Sequence, residues 1–143
     1  MSNLKSVRSD VFYKIANLQP VDLTCTLSST GAANAQIVGN QIIVNMAAAL
    51  HAHTVTITTP IGFRVLNAHT ICEAASAATV IIKNAAGVIS STLTMTADTD
   101  IDVPTTIDDT YSTFARGDDD LVITLGTAAC TGTLVIDIEP TIA

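Results

Sequence analysis

The stretch from Leu121 to Pro140 alternates apolar and other residues with a period of two along both of its arms. Period two places successive side chains on opposite faces of a strand, so each arm indicates a strand with one face in a core. The connecting residues 126–132 begin and end with glycine, which suits a hairpin loop. The sequence therefore predicts a C-terminal β-hairpin, with the other apolar segments as its partners. The inward residues would be Leu121, Ile123, Leu125, Leu134, Ile136 and Ile138.

Short segments with similar alternation recur from Pro20 onward. They predict roughly eight to ten strands, at the spacing of about 8–12 residues that is typical of sandwiches and barrels. Gly39-Asn40 predicts a tight two-residue hairpin turn, and Pro104 predicts an edge or a loop over 98–107. Residues 46–50 (MAAAL) are interpreted as a loop. The other predicted strands are 21–28, 54–59, 63–73, 79–84 and 88–95.

Alternation also predicts which residues of these strands share a face. In the strand from Phe63 the predicted common face is Phe63, Val65, Asn67, His69 and Ile71. The remaining residues predicted to point inward are Val21, Leu23, Cys25, Leu27, Val55, Ile57, Val80, Ile82, Leu93 and Met95.

The composition agrees with a β protein of one domain. The chain has 143 residues, is 48% hydrophobic and only 3% aromatic, and is rich in the branched residues that favour strands. We predict an all-β fold, a two-sheet antiparallel sandwich that is jelly-roll-like, with a short N-terminal arm. Residues 1–19 would form the arm and residues 20–143 the sandwich domain. An immunoglobulin-like sandwich is the second choice.

The chain carries few charges, and they are unevenly spread. Only 13% of residues are charged, where roughly a quarter is usual, which indicates surface reserved for neighbouring subunits. The net charge is −7, and an acidic body repels phosphates, so nucleic acid is not a predicted partner. Half of the six basic residues, Lys5, Arg8 and Lys14, lie within the first fourteen positions.

The N-terminal arm is the predicted contact segment. Val11, Ile15 and Leu18 have helical spacing, and Phe12 and Tyr13 lie beside them. The segment would dock on a neighbouring subunit, or it would simply pack on its own domain. The predicted contact residues are Lys5, Arg8, Phe12, Tyr13 and Lys14.

Two groups of residues raise the question of a metal. Asp98, Asp100 and Asp102 alternate, and together with Asp108, Asp109 and residues 118–120 they could collect Ca²⁺. We favour a solvated acidic rim that protects a sheet edge. His51 and His53 have no carboxylate or cysteine close in sequence, and His69 is the third histidine. Loop-lining or subunit-contact roles are favoured for them over a zinc or iron site. No metal and no cofactor is predicted.

The sequence contains none of the familiar catalytic or phosphate-binding motifs, so we expect no enzymatic activity. Cys25, Cys72 and Cys130 are far apart in sequence and are predicted to be small buried thiols in a reducing cytosol. No signal peptide and no membrane-spanning run is recognisable, so no membrane partner is expected.

The order of segments from Phe63 to Pro140 carries a family resemblance. It runs through TVIIKN at Thr79–Asn84, a polar linker with Thr106–Asp109, a Gly-Asp turn, and the final strand Leu134–Pro140. This order resembles the small capsid decoration (cement) and auxiliary head proteins of tailed bacteriophages, although tail or fibre modules share similar hairpins. The motifs are structural rather than catalytic.

The resemblance implies a structural virion protein on the capsid exterior, synthesised in the host cytoplasm. Its implied partners are the major capsid protein, bound at outer junctions of the shell, and two further copies of itself in a homotrimer. A phage tail, fibre or host-surface binding β-module is the alternative.

Overall fold

The computed structural model describes residue 11 and residues 13–28, 31–49, 54–73, 78–95, 101–116, 121–126 and 130–141. Most of the described residues lie in strands, and the all-β prediction is confirmed. The strands are β1 (Val21–Leu27), β2 (Ala32–Val38), β3 (Gln41–Ala49), β4 (Thr54–Thr58), β5 (Gly62–Cys72), β6 (Ala78–Lys83), β7 (Leu93–Met95), β8 (Ile101–Asp102), β9 (Thr113–Phe114), β10 (Leu121–Leu125) and β11 (Cys130–Thr141).

The strands pair antiparallel in the order β7-β6-β10-β4-β1-β2-β3-β11-β5-β8, and β9 pairs with β5. Strand β1 divides this sheet, because residues 21–23 pair with β2 and residues 24–27 pair with β4. The β11 half is the part made of β2, β3, β11, β5, β8 and β9, with residues 21–23 of β1. The part made of β4, β10, β6 and β7, with residues 24–27, is the β10 half.

The two ends of the strand order lie close together, so the sheet is nearly closed. Thr70 Oγ1 on β5 donates a hydrogen bond to the carbonyl oxygen of Thr94 on β7, at 2.9 Å. Asp102 Oδ2 on β8 accepts from the backbone N–H of Thr94 at 2.7 Å and from its hydroxyl at 3.0 Å. We call this contact between β7 and strands β5 and β8 the seam.

The inward side chains of both halves form one apolar core. The core includes fully buried aliphatic residues from every long strand and the stacked rings of Phe63 and Phe114, whose centroids are 4.7 Å apart. Burial of Leu93, Met95, Val55, Ile57, Val80 and Ile82 confirms those predicted core positions. The shared core explains why β1 can pass from one half to the other without leaving an apolar face in water.

The predicted C-terminal hairpin is wrong. Strand β10 pairs with β4 and β6, whereas β11 pairs with β3 and β5. The alternation itself is correct, since Leu121, Ile123 and Leu125 are buried, as are the inward residues of β11. Each arm therefore lies between two other strands of its own half.

The predicted common face of β5 is wrong beyond Val65. Asp137 pairs with Asn67 but Ile138 pairs with Val65, so Leu66 is an extra residue in a β-bulge. A bulge shifts the alternation by one position. The buried residues after it are therefore Ala68, Thr70 and Cys72, whereas Asn67, His69 and Ile71 face outward.

The loop interpretation of residues 46–50 is also wrong for its described part. Strand β3 continues to Ala49, and Met46 pairs with Ala33 and with Gly132. Pairing on both edges outweighs the helical propensity of a short alanine run. The tight turn at Gly39-Asn40 is confirmed, because Val38 pairs with Gln41 and Gly39 has a φ of +59°.

Candidate interaction surfaces

The described part of the N-terminal segment packs on its own domain. Residues 13–16 and Val11 are helical, and Val11 and Ile15 are buried in the core. Tyr13 points away from the core and is 62% exposed, and Lys14 is half-buried. Of the predicted contact residues, the structure thus presents Tyr13 and Lys14 on one short turn. The other predicted contact residues, Lys5, Arg8 and Phe12, lie outside the described residues.

This helical turn is held at its end by a tight contact with the β2–β3 turn. The side-chain amide of Asn17 donates to the Tyr13 carbonyl oxygen at 2.8 Å. Leu18 has a φ of +56°, and a methyl group of its side chain lies only 2.8 Å from the position that a Cβ on Gly39 would take. The exposed Tyr13 ring therefore stands on a turn fixed both to the core and to a neighbouring loop.

The outer face of the β11 half carries rows of hydrogen-bonded amides and hydroxyls. Asn45 donates to Asn34 Oδ1 at 3.4 Å and accepts at Oδ1 from the Thr133 hydroxyl at 2.9 Å. Two further cross-strand pairs have the Gln36 amide on Asp22 at 2.7 Å and the Gln41 amide on Asp137 at 3.0 Å. These pairs fix the side chains of a surface that contains several carboxylates.

A shallow cleft of about 320 Å³ lies at one end of this face. Asn34 and Asn45 line it, with Glu73 accepting a hydrogen bond from Thr133 at 3.3 Å. The rest of its lining is small or apolar: Ala32, Met46, Ala47 and Gly132. The cleft can accept a small polar group, but its polar side chains already satisfy one another.

The outer face of the β10 half is very different, because threonines dominate it and charge is nearly absent. On β4, β6, β7, β10 and residues 24–27 of β1, the only charged side chain is that of Lys83. Val122 and Ile81 supply half-buried apolar groups near the middle of this face. We call it the threonine face. Its threonines are Thr24, Thr26, Thr54, Thr56, Thr58, Thr79, Thr94 and Thr124.

Two apolar side chains are exposed at the edge of the sheet beside the seam. Ile101 on β8 is 61% exposed and Val103 is 50% exposed. Ile101 pairs with Ile71, whose half-buried side chain extends the apolar surface onto β5. We call Ile71, Ile101 and Val103 the edge patch. The sequence pattern did not predict the edge patch, because a strand of two residues is too short to show a period of two.

The acidic residues considered for a cation are only partly within the described structure. Asp102 holds the seam and also accepts from the backbone N–H of Val103 at 3.0 Å, while Asp108 Oδ1 accepts from the N–H of Thr110 at 2.8 Å. Among the described residues no three His, Cys, Asp or Glu side chains are grouped to hold a metal. Asp98, Asp100 and residues 118–120 lie outside the described residues.

Of the remaining candidates, His69 is half-buried on the outer face of β5, and His51 and His53 lie outside the described residues. Cys72 is buried, as predicted, and Cys25 is half-buried. Burial raises the pKa of the Cys25 thiol, because the thiolate is poorly solvated there. A thiol with a raised pKa is a weak nucleophile at neutral pH.

The comparisons with known proteins give no relative. No family model, no curated protein and no solved structure matches this chain. In the part of the chain that the structure describes, no helix has the length and apolar character needed to cross a membrane.

Proposed function

We propose that the protein is a structural virion protein that decorates and stabilises a phage capsid. It binds outer junctions of the major capsid protein as a homotrimer. The observation that supports this proposal best is the threonine face, a broad outer surface whose strands carry one charge. Protein interfaces are depleted of charge at their centres, so such a face suits burial against another protein.

The scaffold proposed for this role is a jelly-roll-like sandwich of two layers, with the β10 half and the β11 half as the layers. The passage of β1 from one half to the other supports this arrangement. A rigid β body of this kind can contact a shell without changing shape, which suits a protein added to a finished surface.

Molar mass in solution, by size-exclusion chromatography with light scattering, is the first test. A homotrimer predicts the mass of three chains of 14.8 kDa each. A three-fold junction in a shell favours a three-fold partner, since symmetric assemblies match symmetric sites. A monomer that binds cell-surface polysaccharide and not phage heads would replace this proposal with the tail or fibre module.

The N-terminal segment is the proposed capsid contact, and Tyr13 allows a clean test of it. Tyr13→Ser removes an exposed ring, so the unfolding temperature should not change, whereas binding to phage heads that lack this protein should weaken about tenfold or more. Ala16→Ser, also exposed on the same turn, is the matched control.

A deletion of residues 1–10 tests the contribution of Lys5 and Arg8 in the same cosedimentation assay. The deletion keeps Val11 and Ile15, which are buried in the core, so the β fold should be retained. A longer deletion through residue 14 would remove Val11 as well and would confuse binding with stability. Full binding by both the Tyr13→Ser protein and the shortened protein would show that the segment is not the contact.

A further inference from the structure

The threonine face and the edge patch both present apolar groups at the surface, and the strands of the threonine face carry no acidic residue. On the threonine face, Val122 pairs with Thr56 and with Lys83, and Thr124 pairs with Ile81. Apolar and hydroxyl side chains therefore alternate across three adjacent strands. Exposed apolar groups with a polar rim are typical of surfaces that bind another protein.

The net charge of −7 restricts how two copies of this chain can meet. Contact between two β11 halves would bring together Asp22, Asp137 and Glu139, and like charges in contact oppose association. The strands of the threonine face carry no acidic residue, so a second copy can approach it without that cost. The surface that best admits another acidic protomer is therefore the threonine face.

The edge patch offers the complementary surface. Its exposed Ile101 and Val103 match the apolar Val122 and Ile81, and Asp102, which lies between Ile101 and Val103 in sequence, carries a carboxylate. Lys83 gives the threonine face a charge of the opposite sign. Apolar contact with a nearby pair of opposite charges is the pattern expected of a specific interface.

The two surfaces are also neighbours, which matters for symmetry. The hydrogen bonds from Thr94 to Asp102 join the last strand of the β10 half directly to the strand that carries Ile101. In a closed ring of three subunits, each subunit contacts its two neighbours through two different surfaces. Adjacent surfaces on either side of the seam meet this requirement.

We propose that the threonine face of one protomer packs against the edge patch of the next protomer, which closes a homotrimer around the seam. This inference rests on the homotrimer of the proposed function and assigns its interface. A face that paired with itself would instead give a two-fold dimer.

Three single substitutions test the assignment by light scattering. Val122→Lys places a charge on the threonine face, and Ile101→Lys places one on the edge patch. Both should reduce the molar mass from that of three chains to 14.8 kDa, because each destroys one side of every interface. Leu66→Lys is the control, since Leu66 is 45% exposed on the bulge of β5 and lies outside both surfaces. Circular dichroism verifies that each variant is folded.

Mixing the two disrupted variants tests that the surfaces are different. The Ile101→Lys protein keeps an intact threonine face and the Val122→Lys protein keeps an intact edge patch, so one interface can form between them. Sedimentation equilibrium of the mixture, at a concentration where the unchanged protein is trimeric, should show dimers that neither variant forms alone. Equal average masses for the mixture and the separate variants would overturn the proposed pairing.

The outcomes separate this inference from the proposed function. If the unchanged protein is a trimer and both lysine variants remain trimers, the interface assignment is wrong and the proposed function stands. If the unchanged protein is a monomer, the interface assignment fails together with the homotrimer. Capsid decoration is then decided by the binding of phage heads alone.

Discussion

At the scale of single residues, Gly132 shows how closely the strands of the β11 half approach one another. It is buried on β11, opposite Met46 on one side and Cys72 on the other. A Cβ at this position would lie 2.5 Å from the backbone oxygen of Ile71 and 3.3 Å from the terminal methyl of Met95. The oxygen belongs to the strand ladder and cannot move aside as a flexible side chain would.

We expect Gly132→Ala to lower the free energy of unfolding by about 2 kcal/mol or more, because overpacking forces a shift of paired backbone. Urea unfolding followed by circular dichroism measures this change. Thr133→Ala, the next position on the same strand, removes only exposed hydrogen bonds and should cost about 1 kcal/mol or less. Equal stability of the Gly132→Ala protein and the unchanged protein would contradict the close approach.

At the scale of secondary-structure elements, the bulge of β5 decides which residues reach the core. Without Leu66 as the extra residue, Asn67 would face inward and Ala68 outward. With it, Ala68 is 1% exposed and Asn67 lies on the surface. One inserted residue therefore exchanges the two faces of the rest of the strand, as expected from the period of two.

This register predicts opposite effects at two adjacent positions. Ala68→Asn should lower the free energy of unfolding by about 3 kcal/mol or more, since it adds volume and an unsatisfied amide to the core. Asn67→Ala should change it by about 0.5 kcal/mol or less, as for most surface positions. Thermal or urea unfolding of the pair measures both. The reverse order of the two effects would mean that β5 has no bulge here.

At the scale of the whole molecule, the seam brings the two ends of the strand order together and leaves the sheet nearly closed. The Asp102 carboxylate receives hydrogen bonds from the backbone N–H and hydroxyl of Thr94 and from the N–H of Val103. The two bonds from Thr94 to Asp102 and the Thr70–Thr94 bond join the two ends of the strand order. Closure of this kind protects edge strands that would otherwise pair with other chains.

We expect Asp102→Ala to lower the free energy of unfolding by about 1–3 kcal/mol, because donors at the seam lose a charged acceptor. Hydrogen exchange should show faster exchange of the amides of β7 and β8 than of β10 and β11. Asp109→Ala removes the same charge from an exposed position and should leave both measurements nearly unchanged. Uniform exchange rates in the Asp102→Ala protein would argue that the seam does not close the sheet.

Local chemistry alone determined much of this protein. Side-chain period predicts that Leu121, Ile123 and Leu125 share a buried face, and it also predicts the core positions Leu93 and Met95. Turn geometry predicts the glycine turn at residues 39–40. These features depend on residues close together in the chain, so the sequence is sufficient to predict them. That the low charge content reserves surface for other proteins stays a prediction.

Only the tertiary structure decided the partners of each strand. Period two shows that β10 and β11 are strands, but it carries no information on whether they pair with each other or with β4, β6, β3 and β5. Strand pairing depends on how segments that are distant in sequence fit together around the shared core. The same fit decides whether β5 has a bulge, and the bulge reverses the faces of the rest of the strand. For the same reason, only the tertiary structure shows that the threonine face and the edge patch are neighbours, because β7 contacts β8 at the seam.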